Sequence, residues 1–448
     1  MYIIDPILKE IAGIFSHAGK QVFLVGGAVR DMVRGKTPSD FDLATDAHPQ
    51  ELFTFFPHVI PTGIKHGTVT VIFKGYSLEI TTFRTESDYE DGRRPDSVVW
   101  ASCIEEDLSR RDFTMNAMAL NLYSRQVVDP FGGEQDIKRR IIRCVGNPSD
   151  RFSEDGLRAL RAVRFAAQLN FSIDESTLKA IPESLSVTAR VSAERIHDEI
   201  DKIIASTKPS VALLLMEQTG LLALVLPELA RCRGVDQKGF HRFDVLDHSL
   251  CAADYAAGNE FPHPVRLAAL LHDIGKPITR KLDESGVWTF YQHEKYSAQA
   301  ACAILTRLRY PNTIIATVTH LIAEHMFHYT EDWSDAAVRR FIIRVGEENL
   351  PALYRLRRAD SFALAGLEGQ NRHLILLMDR VKEILSERSC LGLKDLAVSG
   401  KDLKALGVAP GPRMGIILKD LLEAVLDDPT LNTQEKLLEI TQKKYCPH

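Results

Sequence analysis

No two cysteines in this chain are spaced as CxxC. The seven, Cys103, Cys144, Cys232, Cys251, Cys302, Cys390 and Cys446, are scattered, which argues against a disulfide framework and a zinc-thiolate site and predicts reduced, mostly buried thiols. No apolar run approaches the roughly 18 residues of a membrane span. The amino-terminal stretch MYIIDPILKEIAGIF is itself interrupted by Asp5, Lys9 and Glu10, so a cytoplasmic protein without a span is expected. Repeats and low-complexity tracts are also missing. Neither sign of charge dominates: 55 Lys and Arg against 60 Asp and Glu give a net charge of -5. Any nucleic-acid contact must therefore come from a local basic stripe and not from a global field. With 448 residues, 45% hydrophobic and 26% charged, the chain is too apolar for disorder and long enough for about three domains.

What is present divides the chain. QVFLV (21–25), TVTVIFK (68–74) and SLEITTF (77–83) are short, β-branched and aromatic, which predicts strands. Beyond about residue 150, EDGLRALRAVRFAAQL, AERIHDEIDKIIA and PSVALLLMEQTGLLALV carry the three- and four-residue apolar spacing of helices. The expected class is α+β, a head with a small mixed sheet followed by an all-α remainder. Breaks at 145–150, 231–240 and 391–400 give segments 1–145, 146–230, 231–388 and 389–448.

The head carries two motifs suited to phosphate chemistry. In FLVGGAVRDMVRGKTPSDFDLAT, Gly26 and Gly27 let backbone N–H groups approach an anion at a helix start, and Arg30 adds a fixed charge one turn in. Asp40 and Asp42 are two apart, so in an extended segment they share a face while Phe41 turns to the core. Two like charges so placed suit a bound Mg²⁺. Glu79, in the strand SLEITTF, is a candidate third acid; a charge at such a position is otherwise a solvated edge residue.

GGAVRD before DFD, RRDFTMNAMA (110–119), DPFGG (129–133) and EDGLRALRAVRFAAQL (154–169) occur in the order of the motifs of bacterial class II tRNA nucleotidyltransferases. Over about residues 15–230, and more weakly to its end, the chain resembles that family, the CCA-adding enzymes with their poly(A) polymerase relatives in the DNA polymerase beta superfamily. The resemblance implies a polymerase-beta-like head (1–145), a helical neck with a base-reading helix (146–230), a helical body (231–388) and a tRNA-binding tail (389–448). It implies template-independent addition of CCA to the 3′ end of tRNA, with CTP and ATP as substrates and Mg²⁺ as cofactor. The tRNA acceptor stem and 3′ end would be its partner; no protein partner is indicated. A CC-only enzyme, an A-only enzyme or a poly(A) polymerase stay open within the superfamily. The segment RTESDYEDGRRPDSVVW (84–100) matches the family's charged loop and favours complete CCA addition.

The helix expected to open at Glu154 and Asp155 carries Arg158, Arg161 and Arg164 among apolar residues, so these arginines need partners. Cytosine and adenine both offer an amino donor beside a ring-nitrogen acceptor, whereas uracil and guanine offer a carbonyl beside an N–H. An Asp acceptor next to an Arg donor matches the first pair, and Asp155 with Arg158 has that chemistry at i, i+3 proximity. The resemblance places the same roles on Asp155 and Arg158, sets Arg161 and Arg164 along the nucleotide site, and makes Arg111, Asp112 and Asn116 sugar and phosphate contacts.

A second constellation lies downstream: His248, His272 and Asp273 in LLHDIGKP, His293, His320, His325 and Asp360. His248, His272, Asp273 and Asp360 resemble the H…HD…D pattern of the HD phosphohydrolases, which implies a second divalent metal, with Lys276 placed to neutralise a phosphate. An HD phosphohydrolase with an RNA-binding head is the alternative from another class. If His293 and either His320 or His325 also bind, two metals fit. In the tail, the PGPRMG turn with Arg413 resembles the part of CCA-adding enzymes that grips tRNA. Basic groups at Lys138, Arg139, Arg140 and Arg143, and at Arg355, Arg357 and Arg358, are further candidates for the acceptor stem.

Overall fold

The computed structural model describes residues 4–38, 40–87, 97–237, 243–365, 372–386 and 392–445. The chain divides into two compact units, one of residues 1–230 with 307–309, the other of residues 231–306 with 310–448.

In the first unit the strands are β1 (Val22–Val25), β2 (Asp42–Thr45), β3 (Val59–Gly63), β4 (Thr68–Phe73), β5 (Tyr76–Thr82), β6 (Arg84–Ser87), β7 (Ser97–Trp100), β8 (Ala119–Asn121) and β9 (Val127–Val128), with a separate short parallel pair, β10 (Ile141–Ile142) and β11 (Ser172–Ile173). Seven make one mixed sheet in the order β3-β4-β5-β2-β1-β8-β9, with β2 and β5 parallel. β1 is buried along its whole length, as expected for an unbroken apolar run in a sheet interior. On one face Phe23, Val25 and Ala44 join Phe83, Leu108 and Ala119 in a core. β6 and β7 pair at the base of the 84–100 loop; its middle, 88–96, lies outside the described residues. Phe41 is half-buried and stacks on Tyr76 with ring centroids 6.3 Å apart. It does not enter the core, because the chain becomes a strand only at Asp42.

The remainder of this unit is helical. The helix expected to open at Glu154 is two: Pro148–Glu154 ends there, Asp155 is extended (φ -147°, ψ 107°), and Leu157–Leu169 follows. The break has a local cause, since the Asp155 carboxylate accepts the Leu157 N–H at 3.0 Å. Ten of the thirteen residues of Leu157–Leu169 are buried, and the helix packs on Ala193–Ile204 and Pro209–Thr219. PSVALLLMEQTGLLALV also divides, at Gly220, whose φ of 83° a glycine adopts without strain.

In the second unit Val245–Gly258, His263–Leu271, Asn312–Glu324 and Leu350–Ala365 pack together. The tail has a core of its own, with Val398, Leu403, Ile417, Leu421, Val425 and Leu437 interleaved. Among the described residues no helix is long and apolar enough to cross a membrane. The five described cysteines form no disulfide; only Cys144 and Cys232 are buried, so most are not, while Cys390 and Cys446 lie outside the described residues.

Candidate active site

The register of the central strands assembles the site. Val25 faces Asp42 in the antiparallel ladder and Asp42 faces Glu79 in the parallel one. The Gly-Gly turn that follows Val25 and the two aspartates are thus one strand spacing apart, about 5 Å. Gly26 has φ +69°, and a Cβ there would lie 3.1 Å from Arg111 Nη1. Glycine therefore lets the turn form and lets a guanidinium lie over it.

A cavity of about 1110 Å³ opens above this turn. From the head it is lined by Gly26, Gly27, Arg30, Asp40 and Asp42, and by Arg111, Asp112 and Asn116 of RRDFTMN. From the helical part come Asp155, Arg158, Arg161 and Arg164. Glu79 is exposed and is not part of this wall, nor does it form a close three-ligand group with Asp40 and Asp42. Asp42 sits at the exposed start of its strand, yet the surrounding protein desolvates its carboxyl enough to raise its pKa; Arg111 opposes that rise and the like charge of Asp40 adds to it. Two hard carboxylates that disfavour each other's charge fit a divalent cation such as Mg²⁺.

The basic groups are held in order by buried acids. Arg30 Nη1 donates to Asn116 Oδ1 (3.0 Å), and Asn116 Nδ2 donates to Asp112 Oδ1 (3.1 Å). Arg161 Nε donates to Asp112 Oδ2 (2.7 Å). Both ends of the Asn116 amide are therefore engaged by protein. Burial raises the Asp112 pKa, but Arg161, Asn116 and Arg158 outweigh it and bring the group to about 2. Arg164 donates to buried Glu199 (2.9 Å), and its own burial lowers its pKa to about 10 against the pull of Glu199. The guanidinia of Arg30, Arg161 and Arg164 all lie over the Phe165 ring, at 5.4, 5.4 and 4.1 Å from its centre.

Asp155 and Arg158 both line the cavity, yet they are not partners of each other. Arg195 Nη2 donates to Asp155 Oδ2 (2.6 Å). Arg158 donates to Glu154, to the Arg151 carbonyl (3.0 Å) and, through Nη2, to the Arg110 carbonyl (2.9 Å). The extended backbone at Asp155 turns the two side chains apart, which a continuous helix would not do. Arg195, Arg110 and Phe165 are wall residues that sequence reasoning missed. The signal available was the surplus of buried arginines, which demanded acids without saying which. DPFGG holds this layer in place: Asp129 caps the helix Gly133–Arg139, and Gly133 lies so close to Thr114 that a Cβ would sit 2.3 Å from its carbonyl oxygen.

Residues 22–143 match the family described as "Poly A polymerase head domain", 170–232 match "Probable RNA and SrmB- binding site of polymerase A", and 282–441 match tRNA nucleotidyltransferase domain 2. A CCA-adding enzyme of Lactobacillus delbrueckii subsp. bulgaricus is 33% identical over 435 residues, 97% of this chain and 96% of that protein. The chain belongs to the CCA-adding enzyme family. Another member, from a Geobacillus strain, is 41% identical over 319 residues, 67% of this chain and 78% of that protein. The crystal structure of the Bacillus stearothermophilus CCA-adding enzyme in complex with CTP is similar with a TM-score of 0.74 at 30% identity, covering 99% of this chain and 100% of that one. The family is one of tRNA nucleotidyltransferases in the poly(A) polymerase group, and its nucleotidyltransferase head implies use of a divalent metal, typically Mg²⁺.

The second unit of this CCA-adding enzyme family member brings the downstream histidines together. His248 Nε2 lies 3.1 Å from Asp360 Oδ1 and 3.2 Å from His272 Nε2, and His272 Nε2 lies 3.3 Å from Asp273 Oδ2. Two close triads result, His248–His272–Asp360 and His272–Asp273–His325. His293 Nε2 is 3.2 Å from Asp273 Oδ1. On their far sides, Nδ1 of His272, His293 and His325 lies 2.9, 2.8 and 2.6 Å from a backbone carbonyl, so a donating Nδ1–H leaves each Nε2 with its lone pair toward the centre. His320 is elsewhere, bonded to the Val345 carbonyl (2.6 Å). Lys276 is tied to Asp273 (2.6 Å), so its charge is already used inside the protein. Burial lowers the His272 pKa, but Asp273 and Asp360 overcome it and push it up to about 10, whereas burial takes His325 down to about 3. Asp273 is already paired with Lys276 and Asp360 with Arg357, and the same two carboxylates also favour a positive charge on His272.

In the basic clusters proposed for RNA, Arg143 pairs with Asp136 and Asp174, Arg357 with Asp360, and Arg358 donates to the Tyr255 hydroxyl. Arg413 donates to the Tyr445 carbonyl (3.1 Å).

Proposed function

We propose that the cavity of the first unit is the place where this CCA-adding enzyme joins C, C and A to the 3′ end of tRNA from CTP and ATP. The observation that carries the reading is the convergence of the Gly-Gly turn, the Asp40–Asp42 pair and the arginine-lined helix on one cavity. Asp40 and Asp42 would hold Mg²⁺, which supplies Lewis-acid activation of the 3′-hydroxyl and neutralises the triphosphate. The turn N–H groups, Arg30 and Arg111 bind phosphates. Asp155 offers acceptor lone pairs to an exocyclic amine. Arg158, with Nε–H and one Nη2–H beyond its protein bonds, donates to the adjacent ring nitrogen. Asp112 and Asn116, locked between Arg30 and Arg161, set the spacing between phosphate seat and base reader, and Glu79 supports Asp42 from the neighbouring strand. On this reading 1–145 is the catalytic head, 146–230 the neck, 231–388 the body and 389–448 a tRNA-binding tail.

The test uses a tRNA lacking its last three nucleotides, with Mg²⁺ and CTP, ATP or both. Growth by two with CTP and by three with both supports the reading. Two C without A, a single A on a CC end, or long A tracts would each replace it with one of the rival activities. Asp40→Asn with Asp42→Asn should abolish growth.

A second reading concerns the other unit. We infer that the histidine cluster is an HD-like centre holding a divalent metal on His248, His272, Asp273 and Asp360 and hydrolysing phosphoesters. Its support is the closeness of His248, His272 and Asp360 and of His272 and Asp273, with the His272 Nδ1 turned to a backbone carbonyl and its Nε2 toward the centre. Metal analysis of the purified chain, with 2′,3′-cyclic phosphate hydrolysis measured in parallel, tests it; a metal-free, inactive protein that stays so after Mn²⁺, Ni²⁺ or Mg²⁺ is added would end this reading.

A further inference from the structure

Asp107 lies in the helix Ile104–Ser109 and is 1% exposed. A carboxylate so buried persists in charged form only where it is paired. Its Oδ1 accepts from Arg110 Nε (3.0 Å) and Nη2 (2.8 Å), and from the Arg84 backbone N–H (3.4 Å) at the root of the 84–100 loop. Its Oδ2 accepts from Arg111 Nη2 (3.2 Å). Burial raises its pKa, and the two guanidinia outweigh that and hold it below the ordinary value.

What those two arginines do with their remaining atoms connects Asp107 to the chemistry. Arg111 spends only Nη2 on Asp107. Its Nη1 lies over the Gly-Gly turn, 3.1 Å from the site of a Gly26 Cβ, and its Nε is buried without a hydrogen-bond partner. The Nη1 over the turn is thus the part of Arg111 that an anion at the Gly-Gly turn would meet, on a guanidinium already largely desolvated. The Arg110 carbonyl in turn receives Arg158 Nη2. Without a carboxylate beneath them, adjacent guanidinia facing one cavity would repel each other and swing into solvent.

We propose that Asp107 is a positioning residue that aims Arg111, with Arg110 beside it, at the polyphosphate of the incoming nucleotide. The role differs from base reading: it sets how tightly the triphosphate is gripped and leaves the choice among bases to Asp155 and Arg158. It rests on the reading that the cavity takes a nucleoside triphosphate.

The experiment titrates the full chain with inorganic tripolyphosphate, CTP and UTP, and measures kcat and KM for CTP on a tRNA primer, in wild type, Asp107→Asn, Asp107→Glu, Arg111→Ala and the Asp107→Asn/Arg111→Ala double variant. Asp107→Asn should weaken tripolyphosphate and CTP by the same factor, about tenfold. It should raise KM more than it lowers kcat and leave the CTP:UTP ratio unchanged. Asp107→Glu should recover part of the loss, and the double variant should be little worse than Arg111→Ala, because the acid acts through the arginine. A changed CTP:UTP ratio, additive losses in the double variant, or unaltered tripolyphosphate affinity would overturn the proposal. If Asp107→Asn does not fold, Arg111→Ala still decides: unchanged tripolyphosphate binding leaves Asp107 nothing to aim. A wild-type chain that binds tripolyphosphate but extends no tRNA would instead refute the nucleotidyl-transfer reading and leave the role of Asp107 standing.

Discussion

Replacing Gly156 by alanine tests whether the seat of the helix Leu157–Leu169, proposed to read the base, governs nucleotide choice. Gly156 has ordinary helical angles (φ -60°, ψ -16°), so its backbone accepts any residue. The constraint is space. A Cβ would lie 2.6 Å from the Thr188 nitrogen and 2.6 Å from the Val187 carbonyl carbon, where ordinary contact begins at 3.4 Å. Both obstacles are backbone, so the segment must retreat by roughly 0.8 Å (3.4 minus 2.6). The move would also stretch the buried bond from the Thr188 hydroxyl to the Gly156 carbonyl, now 2.9 Å. Overpacking of this kind costs about 1–3 kcal/mol of stability. Because Asp155 and Arg158 flank the displaced residue, a shift near 1 Å should cost on the order of 10²-fold in the rate of correct addition. The assay is single-nucleotide addition to a primer, comparing kcat/KM for CTP and UTP, with thermal unfolding alongside. The variant should remain folded with a lowered Tm, and its CTP:UTP ratio should fall. An unchanged ratio in a destabilised protein would show that the seat supports the helix and not the reading of bases.

Acid should weaken the first unit through Asp112. Its folded pKa of about 2 is depressed from 3.8, so its contribution is complete above 3.8 and is lost as pH falls toward 2; the gap is worth about 2 kcal/mol. Urea unfolding of Asp112→Asn against wild type should therefore differ near neutrality and converge at pH 2. Breaking the buried Arg164–Glu199 pair by Glu199→Gln should cost about 3–5 kcal/mol. The joint change Arg164→Leu/Glu199→Leu should cost less, read in the same unfolding experiment. If the histidine centre holds a metal as proposed, its affinity should rise with pH, because the cation competes with a proton on His272, whose pKa Asp273 and Asp360 push up to about 10. Calorimetry in buffers of different ionisation enthalpy should show proton release, and its absence would refute that account.

Much of this architecture was legible in the sequence because the informative groups are close along the chain. The Gly-Gly turn, Asp40 and Asp42 lie within one strand-loop-strand segment, and strand pairing alone joins them. Glu79 was legible as an acid within a strand; that the strand pairs it with Asp42, and that it nevertheless stays outside the cavity wall, depends on sheet register and packing that periodicity does not carry. The arginine ridge announced that acids were needed. Their identity, Asp112 for Arg161 and Glu199 for Arg164, depends on residues 49 and 35 positions away. Asp155 and Arg158 both reach the cavity wall, but from two helices and not one, because the Asp155 carboxylate caps Leu157 and interrupts the expected helix. Among the histidines, spacing left His320 and His325 equivalent; only packing brings His325 to the centre.

The pairing of Val25 with Asp42 has a consequence for how such a protein tolerates change. Sixteen intervening positions, 26–41, leave the sheet and return to it, yet the anchoring ends are fixed by the ladder and not by the path between them. Lengthening or shortening the excursion around Lys36 and Thr37, away from Gly26, Gly27, Arg30 and Asp40, should leave the Gly-Gly turn and Asp42 facing each other. Sliding β1 by a single residue would instead point Asp42 at the wrong neighbour and turn its whole buried row to the opposite side. Insertions in that bend should therefore be borne far better than any slip of the strand beside it.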